Sequence, residues 1–129
     1  MGLDNFAVYP YGHPKHDPNP DVSKSMEPSL FEGINLCGGL FTDGGSSFRG
    51  KVYAGLVEDV SGYSLFDDLI TNEGVGEICR AFEDFTVQDF DNWNNQGYNT
   101  YDLSWKDVLQ LRSYFFIVYE NGGAIESWW

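Results

Sequence analysis

Apolar and polar positions alternate with different periods along this chain, and each period predicts an element. Residues 1 to 9 place Leu3, Phe6, Val8 and Tyr9 in an imperfect alternation, which predicts a short strand. From Pro10 to Pro28 the alternation stops: this stretch holds all five prolines and both histidines and few aliphatic residues, and proline removes ladder donors and restricts its predecessor. A proline- and histidine-rich surface loop is expected at about 10–28. Ile34 to Phe41 is apolar enough for a buried strand, with Gly38 and Gly39 marking a bulge or a close backbone approach.

Helical spacing takes over at Phe48. Phe48, Val52, Leu56 and Val60 recur every four residues with Tyr53 and Val57 beside them, predicting a helix capped by Ser46 or Ser47 and closed by Gly62. Gly50 and Gly55 lie inside it, each disfavoured by about 1 kcal/mol relative to alanine, so something is expected to pack close to that backbone. Tyr63 to Ile70 reads as a short strand or extended connector. A second helix is predicted from about Glu73 to Phe85, with Thr71 or Asn72 as cap and Val75, Ile78, Cys79, Phe82 and Phe85 inward. Asp84 to Tyr101, rich in Asp, Asn and Gln, reads as a long loop with at most one helical turn after Thr86. The third helix opens on a Ser104-x-x-Asp107 cap, carries Val108, Leu111, Phe115 and Tyr119 on one side, and stops at Gly122-Gly123. Ala124 to Trp129 reads as a final strand. The sum is an α+β fold, about three helices on a small mixed or antiparallel sheet built from the N-terminal, Ile34–Phe41 and C-terminal segments, with all 129 residues in one domain.

Composition narrows the function classes. Seven basic against twenty acidic side chains leave a formal charge of −13, which repels phosphate backbones and makes direct nucleic-acid binding a poor expectation. The 42% apolar and 17% aromatic content argues for a folded chain despite that charge. The apolar run around Phe115 to Tyr119 is far short of the about 20 residues a membrane span needs, and Met1 to Asn5 lacks the basic and apolar regions of a secretory signal. Phe6 stands where a myristoylation motif wants Ser or Thr. Cys37 and Cys79 have no paired spacing and read as reduced, small buried thiols, so a cytoplasmic location is expected.

Three motifs bear on chemistry. Gly45 to Lys51 has the spacing Gly-x-x-x-x-Gly-Lys of a phosphate-cradling loop, but Val52 cannot supply the hydroxyl that holds magnesium, and Gly50 would fall inside the helix. What survives is a glycine-rich turn feeding a helix start, where Gly44, Gly45, Ser46, Ser47, Arg49 and Lys51 gather backbone donors, hydroxyls and two cations: a candidate site for a small anion or a partner's carboxylate. Cys37, Gly38 and Gly39 form a candidate pocket beside it. His13-Pro14-Lys15-His16-Asp17 lacks metal-ligand spacing and a rigid scaffold, so solvated histidines and no metal or cofactor are expected. From Glu58 to Asp91 ten acidic residues face one basic residue, Arg80, which suits a partner surface, a duplex-mimicking face or a solubilising coat.

Met1-Gly2-Leu3-Asp4-Asn5-Phe6, Leu36-Cys37-Gly38-Gly39, Ser47-Phe48-Arg49-Gly50-Lys51-Val52-Tyr53, Gly62-Tyr63-Ser64-Leu65 and the terminal Trp128-Trp129 resemble a group of short proteins encoded by tailed bacteriophages and by bacteria carrying their relatives. No activity is established for that group. The resemblance implies a viral, intracellular, non-structural origin, with the host cytoplasm as location, and transfers no catalytic residue. The expectation from sequence is therefore a small acidic binding or regulatory protein acting through an unknown protein partner. The alternative is a small enzyme or ligand-sequestering protein using the glycine-rich turn.

Overall fold

Residues 3–15, 24–36, 40–41 and 47–128 are described by the computed structural model. The N-terminal alternation becomes strand β1, Asp4–Tyr9, and it is the centre of the sheet. One edge of β1 is taken along its length by the C-terminal strand β6, Ala124–Trp128, from Asp4 opposite Trp128 to Val8 opposite Ala124. The other edge is shared. Its first half pairs with β4, Ser47–Arg49, and its last two residues with β2, Lys24–Ser25. Strand β3, Leu40–Phe41, extends the sheet beyond β4, and β5, Leu69–Ile70, extends it beyond β6. Every pairing is antiparallel, which resolves the expected mixed or antiparallel sheet. Together with the helices this is an α+β fold.

Among the described residues four α-helices stand where three helices were expected: α1, Gly50–Ser61; α2, Asn72–Asp84; α3, Val87–Asn95; and α4, Trp105–Glu120. The additional helix, α3, occupies the acidic and amide-rich segment read as a loop. Thr86 and Asp89 form a reciprocal capping box at its start, and Phe90 and Trp93, three apart, turn inward. The Trp93 indole then donates to Asp59 at 2.8 Å, tying α3 to the end of α1.

The start of α1 is the main departure from the periodicity. Phe48 belongs to β4 rather than to the helix, although its ring is fully buried among Tyr53, Tyr114 and Phe115, with centroids 4.9–6.3 Å apart. A buried strand residue two positions before a helix mimics one more helical repeat. The helix opens at Gly50 with Arg49 as N-cap and no side-chain cap, and its buried residues are Tyr53, Leu56 and Val57, with Val52 and Val60 at the margin. Gly62 closes it in the left-handed conformation, as expected. The strand expected over Ile34–Phe41 is likewise shorter. Ile34 to Leu36 is irregular, with Leu36 in the core, and among the described residues of this stretch Leu40–Phe41 pairs, next to β4 and not next to β1.

One core joins both halves: Leu56, Ile78, Phe82, Val108, Leu111 and Phe115 belong to a single buried cluster with Tyr9, Phe31 and Ile125, and Val52 packs against it. Helix α2 lies between α1 and α4. Its close approach to α4 depends on Gly76, where a Cβ would collide with the Tyr119 ring.

Candidate functional site

The carboxylate-rich segment from Glu58 to Asp91 places exposed side chains on α1, α2 and α3 and in the connector before β5, and α2 shows how its own share comes to face outward. Thr71 caps the helix by accepting from the Gly74 amide at 3.2 Å, and Glu73 sits in the first turn, where the helix dipole favours a negative charge. Val75, Ile78, Cys79 and Phe82 then turn inward. Their spacing forces Glu73, Glu77, Arg80 and Asp84, separated by four, three and four residues, onto one outer stripe. Glu58 and Asp59 at the end of α1, Asp67 and Asp68 before β5, Glu83, and Asp89 and Asp91 on α3 complete the set. All ten carboxylates are exposed, and none of them forms an ion pair among the described residues.

Three of the ten have hydrogen-bonding duties. Asp59 accepts from Trp93, Asp89 caps α3, and Glu77 accepts from the Tyr63 hydroxyl. That bond holds the Tyr63 phenol above its usual pKa, helped by partial desolvation and by the charges of Glu77 and Glu73, while Arg80 opposes. The side chains of the seven others make no hydrogen bond or ion pair among the described residues.

Cys79 lies just behind this stripe. Burial pushes its thiol up to about 11, Glu83 adding to the effect and Arg80 opposing it, so at neutral pH it is a protonated core thiol and a poor nucleophile. Cys79 is a free cysteine. Beside it an open groove of about 400 Å3 runs between α2 and α4.

The proline- and histidine-rich stretch is anchored at both ends. His13, expected to be solvated, stacks on Tyr9 at 4.6 Å, its Nε2 lies 2.9 Å from the Asn121 carbonyl, and its Nδ1 accepts from the Lys15 amide at 3.0 Å. Those partners require a proton on Nε2 and none on Nδ1. Tyr9 donates to the Glu27 carboxylate, which also lies 3.9 Å from Lys15. Burial, and then Glu27, push the Tyr9 phenol up to about 12. Lys24 and Ser25 form β2 and Met26 is buried, so the loop ends earlier than the sequence suggested. No local signal marks His13 as packed: its partner Asn121 is brought to it by the β1–β6 pairing.

Of the glycine-rich turn, Gly44, Gly45 and Ser46 lie outside the described residues, as do Cys37, Gly38 and Gly39 of the candidate pocket. Ser47 is buried in β4, and Arg49 and Lys51 are exposed on either side of Gly50. Ser47 thus begins a strand, and the first amide of α1, that of Gly50, already donates to the Leu3 carbonyl at 3.0 Å. Asn5 explains the glycine. Its fully buried side chain donates from Nδ2 to the Leu65 carbonyl at 2.9 Å, and its Oδ1 occupies the place a Cβ on residue 50 would take.

Among the described residues, no group of three His, Cys, Asp or Glu side chains could hold a metal ion, and no helix is long and apolar enough to cross a membrane. No protein-family model, curated protein or solved structure matches the chain.

Proposed function

We propose that this protein is a small acidic binding protein of phage type, acting in the host cytoplasm by presenting the α2–α3 carboxylate face to a positively charged surface of a protein partner. The observation that carries the reading is the exposure of all ten carboxylates from Glu58 to Asp91 without one ion pair among the described residues. Concentrating like charges opposes folding, so a face of this kind is kept at some expense of stability, and a basic partner relieves the repulsion. The same field raises the encounter rate with a basic surface and repels phosphate backbones. The resemblance to short proteins of tailed bacteriophages adds support for a host-directed role.

The test separates function from folding. Glu73→Gln, Glu77→Gln and Asp84→Asn together remove three charges from the outer stripe of α2 while keeping its hydrogen-bonding groups. The triple variant is expected to be as stable as the parent or more stable, yet to lose the protein captured by the parent from a host extract. With that protein purified, calorimetry is expected to give an affinity that falls steeply as salt rises and is at least tenfold weaker for the variant. An identical set of captured proteins at identical affinity would overturn the reading.

A further inference from the structure

The turn from Pro10 to Lys15 is organised around one imidazole. The His13 amide closes it by donating to the Pro10 carbonyl at 3.0 Å. Pro14 has no amide to give, so the next donor along the chain is that of Lys15, and it points back at His13 Nδ1 from 3.0 Å. On its other side the half-buried ring reaches the end of α4, where Nε2 donates to the Asn121 carbonyl at 2.9 Å. Gly122 permits that approach, since a Cβ there would come within 2.9 Å of the ring.

These two hydrogen bonds fix the charge of the side chain. A neutral imidazole has one donor and one acceptor, and both are used here. An imidazolium has two donors. A second proton would therefore set N–H against N–H where the Lys15 bond stands, whereas the Asn121 bond survives and strengthens, because the carbonyl end of a helix attracts positive charge. The charged groups around the ring divide in the same way. Lys15, whose ammonium lies 5.6 Å from the centre of the Tyr9 ring, repels an imidazolium; Glu27, 3.9 Å from Lys15, and Glu120, next to Asn121 at the end of α4, attract one. The Tyr9 phenol stacked on His13, its pKa pushed up to about 12, carries no charge in neutral or acid solution.

We infer that His13 is a pH-operated latch: neutral, it ties the Lys15 backbone to the end of α4; protonated, it keeps Asn121 and releases Lys15. Histidine is the side chain whose ordinary titration falls between about pH 5 and 8, so mildly acid solution opens the latch. Release has a second cause besides the lost bond, because an imidazolium and an ammonium two residues apart repel each other. Lys15 then leaves Glu27 and the Tyr9 ring. A turn held to the body becomes a free one with two positive charges, on a chain whose formal charge is −13. None of these residues belongs to the carboxylate face of α2 and α3, so the latch stands or falls separately from the binding reading.

Nuclear magnetic resonance of the nitrogen-labelled full chain, from about pH 8 to 5, tests the latch. At the upper end the His13 ring nitrogens are expected to report the tautomer with its proton on Nε2. As the ring charges, the Lys15 amide is expected to shift with the same midpoint and to exchange with solvent about threefold faster or more, relative to an unstructured peptide at that pH, while the contact between the ring and Gly122 persists. His13→Asn supplies an oxygen that accepts from the amide two residues on and does not titrate, so it is expected to hold the Lys15 signal constant over the whole range. Glu27→Gln removes the carboxylate beside Lys15 and is expected to leave the step in place. A Lys15 amide that ignores the charging of His13, a step that survives in His13→Asn, or a step that disappears in Glu27→Gln overturns the inference. So does loss of the Gly122 contact on acidification.

Discussion

Helices α4 and α1 begin in opposite ways. At α4 every group that organises the start comes from four consecutive residues: Ser104 accepts from the Asp107 amide at 3.2 Å, and Asp107 accepts from the Ser104 amide at 2.8 Å. At α1 the N-cap residue, Arg49, supplies no capping hydrogen bond, and the order comes from β1: Leu3 takes the Gly50 amide, and Asn5 fills the space over Gly50 while anchoring to Leu65, sixty residues away. The first kind of start is a property of a short peptide. The second exists only after strand, helix and loop have come together, so its stability belongs to the assembled N-terminal half and not to the helix.

The sharpest way to break this contrast is Gly50→Ala. In an ordinary helix interior glycine is worse than alanine by about 0.5–1 kcal/mol, so the change would stabilise. Here the new Cβ falls on the Asn5 carboxamide, whose displacement breaks its buried hydrogen bond, and we expect a loss of about 1–3 kcal/mol in urea unfolding. In an Asn5→Ala background most of that penalty is expected to disappear. Full additivity of the two changes would show that Asn5 does not organise the start of α1.

Each half also buries a weak acid, and alkaline titration compares them. Cys79 keeps its proton up to about pH 11 in the folded chain against 9.0 as a reference, and Tyr9 up to about 12 against 10.0. Both folded pKa values are raised, so their contribution is complete below pH 9. Above it the unfolded chain releases protons that the folded chain retains, and stability falls as pH climbs from about 9 through 12. Cys79→Ala is expected to remove the earlier part of the decline and Tyr9→Phe the later part. A stability that is flat from pH 8 to 12 in the parent would contradict both shifts.

The smallest effect concerns the caps themselves. Ser104→Ala is expected to destabilise by about 1 kcal/mol through the loss of its capping bond, whereas Arg49→Ala removes no capping bond and is expected to cost less. Equal losses at the two positions would erase the difference between local and long-range organisation.

The same distinction explains what was legible in advance. Thr71, Ser104 and Gly62 were readable because capping and helix closure act over three or four residues, and most of the α2 and α4 faces followed from the 3.6-residue period, although Tyr119, read as part of the α4 stripe, is exposed and Tyr114 and Val118 are buried instead. Helix α3 was equally readable: Thr86-x-x-Asp89 is the signal that marks α4, overshadowed by the Asp and Asn content around it. Phe48 could not be placed from periodicity, since a buried strand residue and a buried helix residue look alike when the distance between them happens to be four.

The candidate site divides in the same way. That the Glu58–Asp91 segment is acidic is plain from composition, and its exposure on α2 follows from amphipathic spacing. That Cys79, Glu83, Arg112 and Phe116 share one groove, or that His13 rests on Tyr9 beneath Asn121, is not a local property of any segment.

The sequence by itself determined the α2 and α4 stripes, the caps at Thr71 and Ser104, the α+β class and the strong negative charge, because the stripes and caps depend on residues a few positions apart and the class and charge on the chain's pattern and composition. Tertiary structure alone decided that β4 and β6 flank β1, that Asn5 requires glycine at position 50, and that Arg112 and Glu83 line one groove. Those relations join residues that only strand pairing and helix packing bring within reach, and no local preference encodes the partner at the far end.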